Sequence, residues 1–192
     1  ASTFAFIGDS VGVSVAVDDN STLRVLVDGV YPSASWDSLG ARPTGGGTND
    51  GLAAANAVPI GTDLVVVQLG YNDPPSAMAA RIDAVMAALQ NRGVGRVAWV
   101  TVSERRTATN FAQTNAAIFA AASRWSTLTI FDWESASDDA SANRWFADNV
   151  HLTATGRAEF ALFLREQMLA LSGRPLVPGV PLRVPVVGLA GV

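Results

Sequence analysis

Short apolar runs alternate along this chain with longer stretches of helical character, and that alternation limits what it can fold into more than any other feature. Five runs, at residues 3–7, 23–27, 64–69, 97–102 and 128–132, read as strands. Strands separated by helices point to a parallel sheet with helices packed on both faces. In "PPSAMAARIDAVMAALQNRG", Pro75 falls near a helix start, where its missing N–H costs little, and Gly93 lies just past the end. A second helix is expected over 109–124. The last, "TATGRAEFALFLREQMLAL", places Ala158, Ala161, Leu162, Leu164 and Met168 on one face, with Thr153 as its N-cap.

Two segments fall outside this pattern. "SASWDSLGARPTGGGTNDG", residues 33–51, is rich in glycine and turn formers and is expected to be a long loop, a length that in compact domains often carries function. Beyond Gly173 the chain meets a proline every three or four residues. The sequence therefore divides into one domain over 1–173 and a Pro-rich tail over 174–192, either an extended strap or a frayed terminus.

Composition narrows the partners. Hydrophobic residues are 49% of the 192 and charged ones 16%, against about 25% charged in an average globular protein, so a packed core is expected rather than disorder. With 13 Lys and Arg against 17 Asp and Glu and no basic block, nothing recruits a phosphate backbone, and nucleic acid is excluded as a partner. There is no cysteine, which removes disulfides and thiolate metal sites. No apolar run spans a bilayer; the longest, in the tail, is broken by prolines and Arg183. The start at Ala1 without a Met or a charged-then-apolar leader fits either a processed exported protein or a trimmed chain; location stays open, with an extracellular or cell-envelope setting favoured over a cytoplasmic one.

In open parallel sheets ligands bind beyond the carboxyl ends of the strands. That rule gathers Gly8, Asp9 and Ser10 after the first strand, "GYND" at 70–73 after the third, and Asp148 and His151 before the final helix. Ser10, between a strand and a helix, is a candidate nucleophile, but a hydroxyl needs a base within about 3 Å. His151 is the only histidine in the chain, so a serine–histidine mechanism must use it. Asp148, three residues earlier, can reach His151 Nδ1–H and fix its tautomer. Acyl transfer also requires donors aimed at the developing oxyanion: the Asn72 amide, the Ser10 N–H, and a glycine N–H from the 33–51 loop.

Three of these segments together, "GDS" at 8–10, "GYND" at 70–73 and "DNVH" at 148–151, resemble blocks I, III and V of the SGNH (GDSL) hydrolases in order and approximate spacing. The resemblance runs from Phe4 to about Leu171. It implies an α/β fold, a flavodoxin-like three-layer α/β/α sandwich with a five-stranded, mainly parallel sheet. It implies Ser10 as nucleophile, Asp148 and His151 as the rest of a triad, and Ser10, Gly40 and Asn72 as the oxyanion hole. Gly40 is the block II choice because a glycine near an arginine after the second strand is common in exported relatives; Gly45, Gly46 and Gly47 are its rivals. Val11 stands where the family name has leucine, and Tyr71 replaces a frequent threonine, a change that can narrow or line the acyl or alcohol pocket.

The remaining features have plainer readings. Asp9 is expected to accept backbone N–H bonds around the elbow, and Asp73 to cap the Pro75 helix. The 45–47 glycines lack the Gly-Lys-Ser/Thr of a phosphate loop, and Asp148 with His151 lacks a third metal ligand, so neither cofactor nor metal is expected. Arg105 and Arg106 either meet an anionic or sugar substrate or are simply solvated. Trp99, Trp125 and Trp133 read as packing residues, while Trp145 and Phe146 either line the pocket or lock the histidine loop. The sequence thus points to a serine esterase acting on short-chain or acetyl esters of a small molecule or glycan. Two alternatives stay open: an acyltransferase module on cell-envelope glycans, and a binding domain without turnover. Acyl length, alcohol and oligomeric state are not legible.

Overall fold

The computed structural model describes residues 3–16, 22–27, 31 and 33–172; the Pro-rich tail lies outside the described residues. Five parallel strands form one sheet in the order β2-β1-β3-β4-β5: β1 (Thr3–Gly8), β2 (Ser33–Ser38), β3 (Leu64–Gln68), β4 (Arg96–Val100) and β5 (Leu128–Phe131). The helices are α1 (Ser10–Ala16), α2 (Thr22–Val27), α3 (Gly51–Ala57), α4 (Met78–Asn91), α5 (Phe111–Ala122), α6 (Trp133–Ser137) and α7 (Ala154–Leu171).

Successive side chains on a strand point to opposite faces, and the inner strands are apolar on both. Phe4, Phe6, Val66, Ala98, Val100 and Phe131 join one buried cluster with residues of α1, α2 and α7. Ala5, Ile7, Val65, Val67, Trp99 and Ile130 join another with α3, α4 and α5. Two separate cores, one per face, make the α/β/α sandwich. The helix starts are chemically marked: Asp50, Asn110, Asp132 and Thr153 each accept a backbone N–H as N-caps of α3, α5, α6 and α7.

Two expectations change. Residues 23–27 are not a strand but lie in α2, and the second strand is the front of the expected loop, Ser33–Ser38. The physical reason is coverage. β2 pairs with β1 at the sheet edge and, unlike the buried edge strand β5, has Ala34 and Ser35 exposed and Trp36, Asp37 and Ser38 only partly buried, so it needs no continuous apolar run; Trp36 supplies its core contact against Phe4 and Phe6, at ring separations of 5.1 and 5.9 Å. In α7 the buried stripe runs through Phe160, Ala161, Phe163, Leu164 and Met168, while Ala158 and Leu162 face solvent. Gly156 lets α7 begin against the preceding segment, because a Cβ there would stand 2.0 Å from the Trp145 carbonyl oxygen. Gly156→Ala is therefore expected to cost about 3 kcal/mol of stability, read as an earlier urea midpoint with an unchanged slope.

Candidate active site

With this strand order the chain passes from β1 to β2 on one side and then returns past β1 to β3 on the other, so the switch point lies between β1 and β3. Ser10 follows β1 and Asn72 follows β3, on either side of that crevice. The elbow at Ser10 is tight. A Cβ on Gly8 would sit 2.7 Å from Ser38 Oγ, and one on Gly12 would sit 2.9 Å from the same atom. Two glycines thus allow α1 to turn directly across the end of β1.

The structure brings three of the expected residues into one chain of hydrogen bonds. Ser10 Oγ is 3.0 Å from His151 Nε2, and His151 Nδ1 is 2.8 Å from Asp148 Oδ2. The other carboxylate oxygen of Asp148 accepts from the His151 N–H at 2.7 Å and the Val150 N–H at 3.1 Å. Asn149 closes this turn at φ 67°, a left-handed conformation that asparagine tolerates. The imidazole N–H and these backbone donors hold the Asp148 carboxyl down at about 2, so it is ionised throughout the range in which a histidine titrates.

The loop is fixed at both ends. Phe146 pairs with Leu152, the Ala147 N–H donates to the His151 carbonyl at 2.8 Å, and the Thr153 N–H donates to the Trp145 carbonyl at 2.8 Å. Trp145 stacks on Trp133 within the core, so Trp145 and Phe146 lock the histidine loop. Trp99 and Trp133 are buried, and Trp125 is partly buried.

Asn72 donates from Nδ2 to Asp9 Oδ2 at 3.4 Å and to the Arg42 carbonyl at 3.3 Å. Both contacts are long, so its amide is oriented by them rather than tightly bound. Asp9 is fully buried; its Oδ1 accepts the Val11 N–H at 2.9 Å, the elbow contact expected of it. Burial pushes its carboxyl up to about 7. Tyr71, beside Asn72, packs edge-on against Phe111 and accepts the Ser103 N–H at 2.6 Å, and burial raises its phenol above the ordinary value.

Asp73 does not cap the Pro75 turn, which has no side-chain cap. Its buried carboxylate instead accepts from the Thr44 N–H and hydroxyl and from Arg81 Nη1 at 2.6 Å. That pins the glycine-rich loop to α4 next to Asn72. Gly40 lies in an exposed turn after β2, and no hydrogen bond joins it to Ser10, Asn72 or His151 among the described residues. Arg42, two residues on, is the rivet of this region. Its buried guanidinium donates to the Asp37 carbonyl and carboxylate at 2.8 and 2.6 Å and to the Asn49 carbonyl at 3.1 Å. In the sequence Arg42 shows only as a neighbour of glycine, because its partners lie in β2, at Asp37, and in the glycine-rich loop, at Asn49.

Among the described residues no cluster of three His, Cys, Asp or Glu side chains can hold a metal, and no helix is long and apolar enough to cross a membrane. The fold is that of the SGNH (GDSL) hydrolases. It is similar to the C-terminal catalytic domain of peptidoglycan O-acetyltransferase A from Streptococcus pneumoniae, solved with a methylsulfonyl adduct: 20% identity, TM-score 0.67, covering 91% of this chain and 97% of that one. It is similar as well to a member of the lipolytic G-D-S-L family from Veillonella parvula, at 13% identity and TM-score 0.67, covering 86% of this chain and 97% of that one. A third likeness is to the psychrotrophic esterase EstA from Pseudoalteromonas sp., inhibited by monoethylphosphonate, at 12% identity and TM-score 0.69, covering 91% of this chain and all of that one. No family model matches the sequence, and no curated protein matches it significantly.

Proposed function

We propose that this protein is a serine esterase that hydrolyses short-chain or acetyl esters through an acyl-enzyme. The observation that carries the reading is the continuous path from Ser10 Oγ through His151 Nε2 and Nδ1 to Asp148 Oδ2, at 3.0 and 2.8 Å. His151 Nε2 takes the Ser10 proton as Oγ bonds to the ester carbonyl carbon, and Asp148 stabilises the imidazolium that results. The carbonyl oxygen becomes an oxyanion, for which the Ser10 N–H, the Asn72 amide and the Gly40 N–H are the proposed donors. His151 then returns the proton to the departing alcohol oxygen as the C–O bond breaks. Water, deprotonated by the same imidazole, then attacks the acyl carbonyl; as the bond to Ser10 Oγ breaks, His151 Nε2 returns that proton to Oγ and the carboxylic acid leaves. Tyr71, adjacent to Asn72 and held by Phe111 and Ser103, is the residue proposed to narrow or line the acyl or alcohol pocket.

The test is a panel of p-nitrophenyl esters from acetate to palmitate beside acetylated xylan, with a fluorophosphonate probe. Expected are turnover that falls with chain length and probe attachment at Ser10. Folded protein that neither turns over any ester nor takes the probe would instead be a binding domain of this fold. The likeness to a peptidoglycan O-acetyltransferase domain favours a second reading, in which a glycan hydroxyl replaces water as acceptor. Acetylated acceptor among the products would establish it, and free acetate alone would argue against it.

A further inference from the structure

Arg105 and Arg106 follow β4, and neither is simply solvated. Arg105 grips the segment that leads to Asp148. Its Nε and Nη2 both donate to the Ser137 carbonyl, Nη2 donates to the Asp139 carbonyl at 2.8 Å, and Nη1 donates to Asn143 Oδ1. Its guanidinium carbon lies 5.0 Å from the centre of the Phe146 ring, within cation–π range. Arg106 goes one step further along the same segment, with Nη2 3.3 Å from Asp148 Oδ2 and 3.5 Å from the Asp148 carbonyl.

From this arrangement we infer that the two arginines form a clasp between the sheet and the acid–base loop, in which Arg106 is a positioning residue for Asp148. The inference rests on the catalytic reading of Ser10, His151 and Asp148. Among the described residues, three of the four donors to the Asp148 carboxylate come from its own turn, at Val150 and His151. Such contacts set the shape of the turn but not where the turn sits on the sheet. Arg106 is the fourth, and it comes from a different element. The need for it is physical: the Asp148 and His151 side chains are 46% and 50% exposed, so water competes for the carboxylate and lets it swing. An arginine held by its neighbour's contacts limits that swing, and a displacement of about 1 Å at a catalytic group can cost up to ~100-fold in rate.

The experiment uses Arg106→Gln and Arg106→Lys in the whole chain. Because His151 is the only histidine, its Nδ1–H proton resonance reports the histidine–aspartate bond without overlap. Arg106→Gln is expected to lower kcat on p-nitrophenyl acetate about tenfold, with KM within about twofold and an unaltered melting temperature. The Nδ1–H proton should exchange faster with water, and Arg106→Lys should restore part of both signals. Unchanged kcat and unchanged exchange in Arg106→Gln would overturn the inference. So would a loss of kcat that merely tracks a lower melting temperature and is not recovered by lysine. If the parent protein turns over no ester yet its Nδ1–H proton responds to Arg106→Gln as described, the catalytic reading fails while the clasp stands.

Discussion

Replacing His151 with alanine is expected to lower kcat on p-nitrophenyl acetate by about 10⁴-fold or more, and to slow labelling of Ser10 by a fluorophosphonate comparably. The size follows from the absence of a substitute. The chain has no second imidazole, and among the described residues no other side-chain base is hydrogen-bonded to Ser10 Oγ. Asp9, the preceding residue, has its carboxylate oxygens engaged by the Val11 N–H and Asn72 Nδ2. Without a base, the hydroxyl must lose its proton to water. Folding should be almost unaffected, since His151 is half exposed and the turn around it is held by backbone bonds and by the Phe146–Leu152 pair. A variant that keeps its melting temperature yet retains a tenth of the parent rate would show that His151 is not the base.

The same residues show what the sequence could and could not reveal. β1, β3, β4 and β5 were legible because strands covered on both faces must be apolar at consecutive positions, as in Leu64–Gln68. β2 was not, because an edge strand with the sequence Ser-Ala-Ser-Trp-Asp-Ser meets the core through Trp36 and offers no run to detect. Ser10, Asn72, Asp148 and His151 could be singled out because strand ends place them on one rim and the chain has a single histidine. The roles of Asp73, Arg42, Arg105 and Arg106 could not. Their partners lie in distant or misassigned segments: Thr44 for Asp73, Asp37 for Arg42, Ser137 for Arg105 and Asp148 for Arg106. A lone charged residue near a rim gives no local sign of whether its partner is solvent or another loop.

The second large effect concerns stability and separates it from function at one buried carboxyl. Asp9 is wholly buried, and burial raises its pKa from the ordinary 3.8 to about 7; the Val11 N–H, Gln68 and the positive field of His151 only partly oppose this. The folded state therefore binds the Asp9 proton more tightly than the unfolded chain does. Below about pH 4 both states are protonated and Asp9 costs nothing. As pH rises toward 7 the unfolded chain ionises first, and stability is lost at ~1.4 kcal/mol per pH unit, to about 4 kcal/mol. Asp9→Asn removes that loss. It keeps an acceptor for Val11 but turns an amide toward Asn72 Nδ2, setting donor against donor and giving back about 1–2 kcal/mol. The expected result is a variant about 2–3 kcal/mol more stable than the parent at pH 8, with no advantage at pH 4, measured by urea denaturation at both. The same substitution deprives Asn72 of one of the two contacts that aim its amide, so kcat should fall although the protein is more stable. A stability difference between variant and parent that does not change with pH would show that Asp9 does not carry a raised pKa. If kcat also stays intact, Asp9 does not orient Asn72.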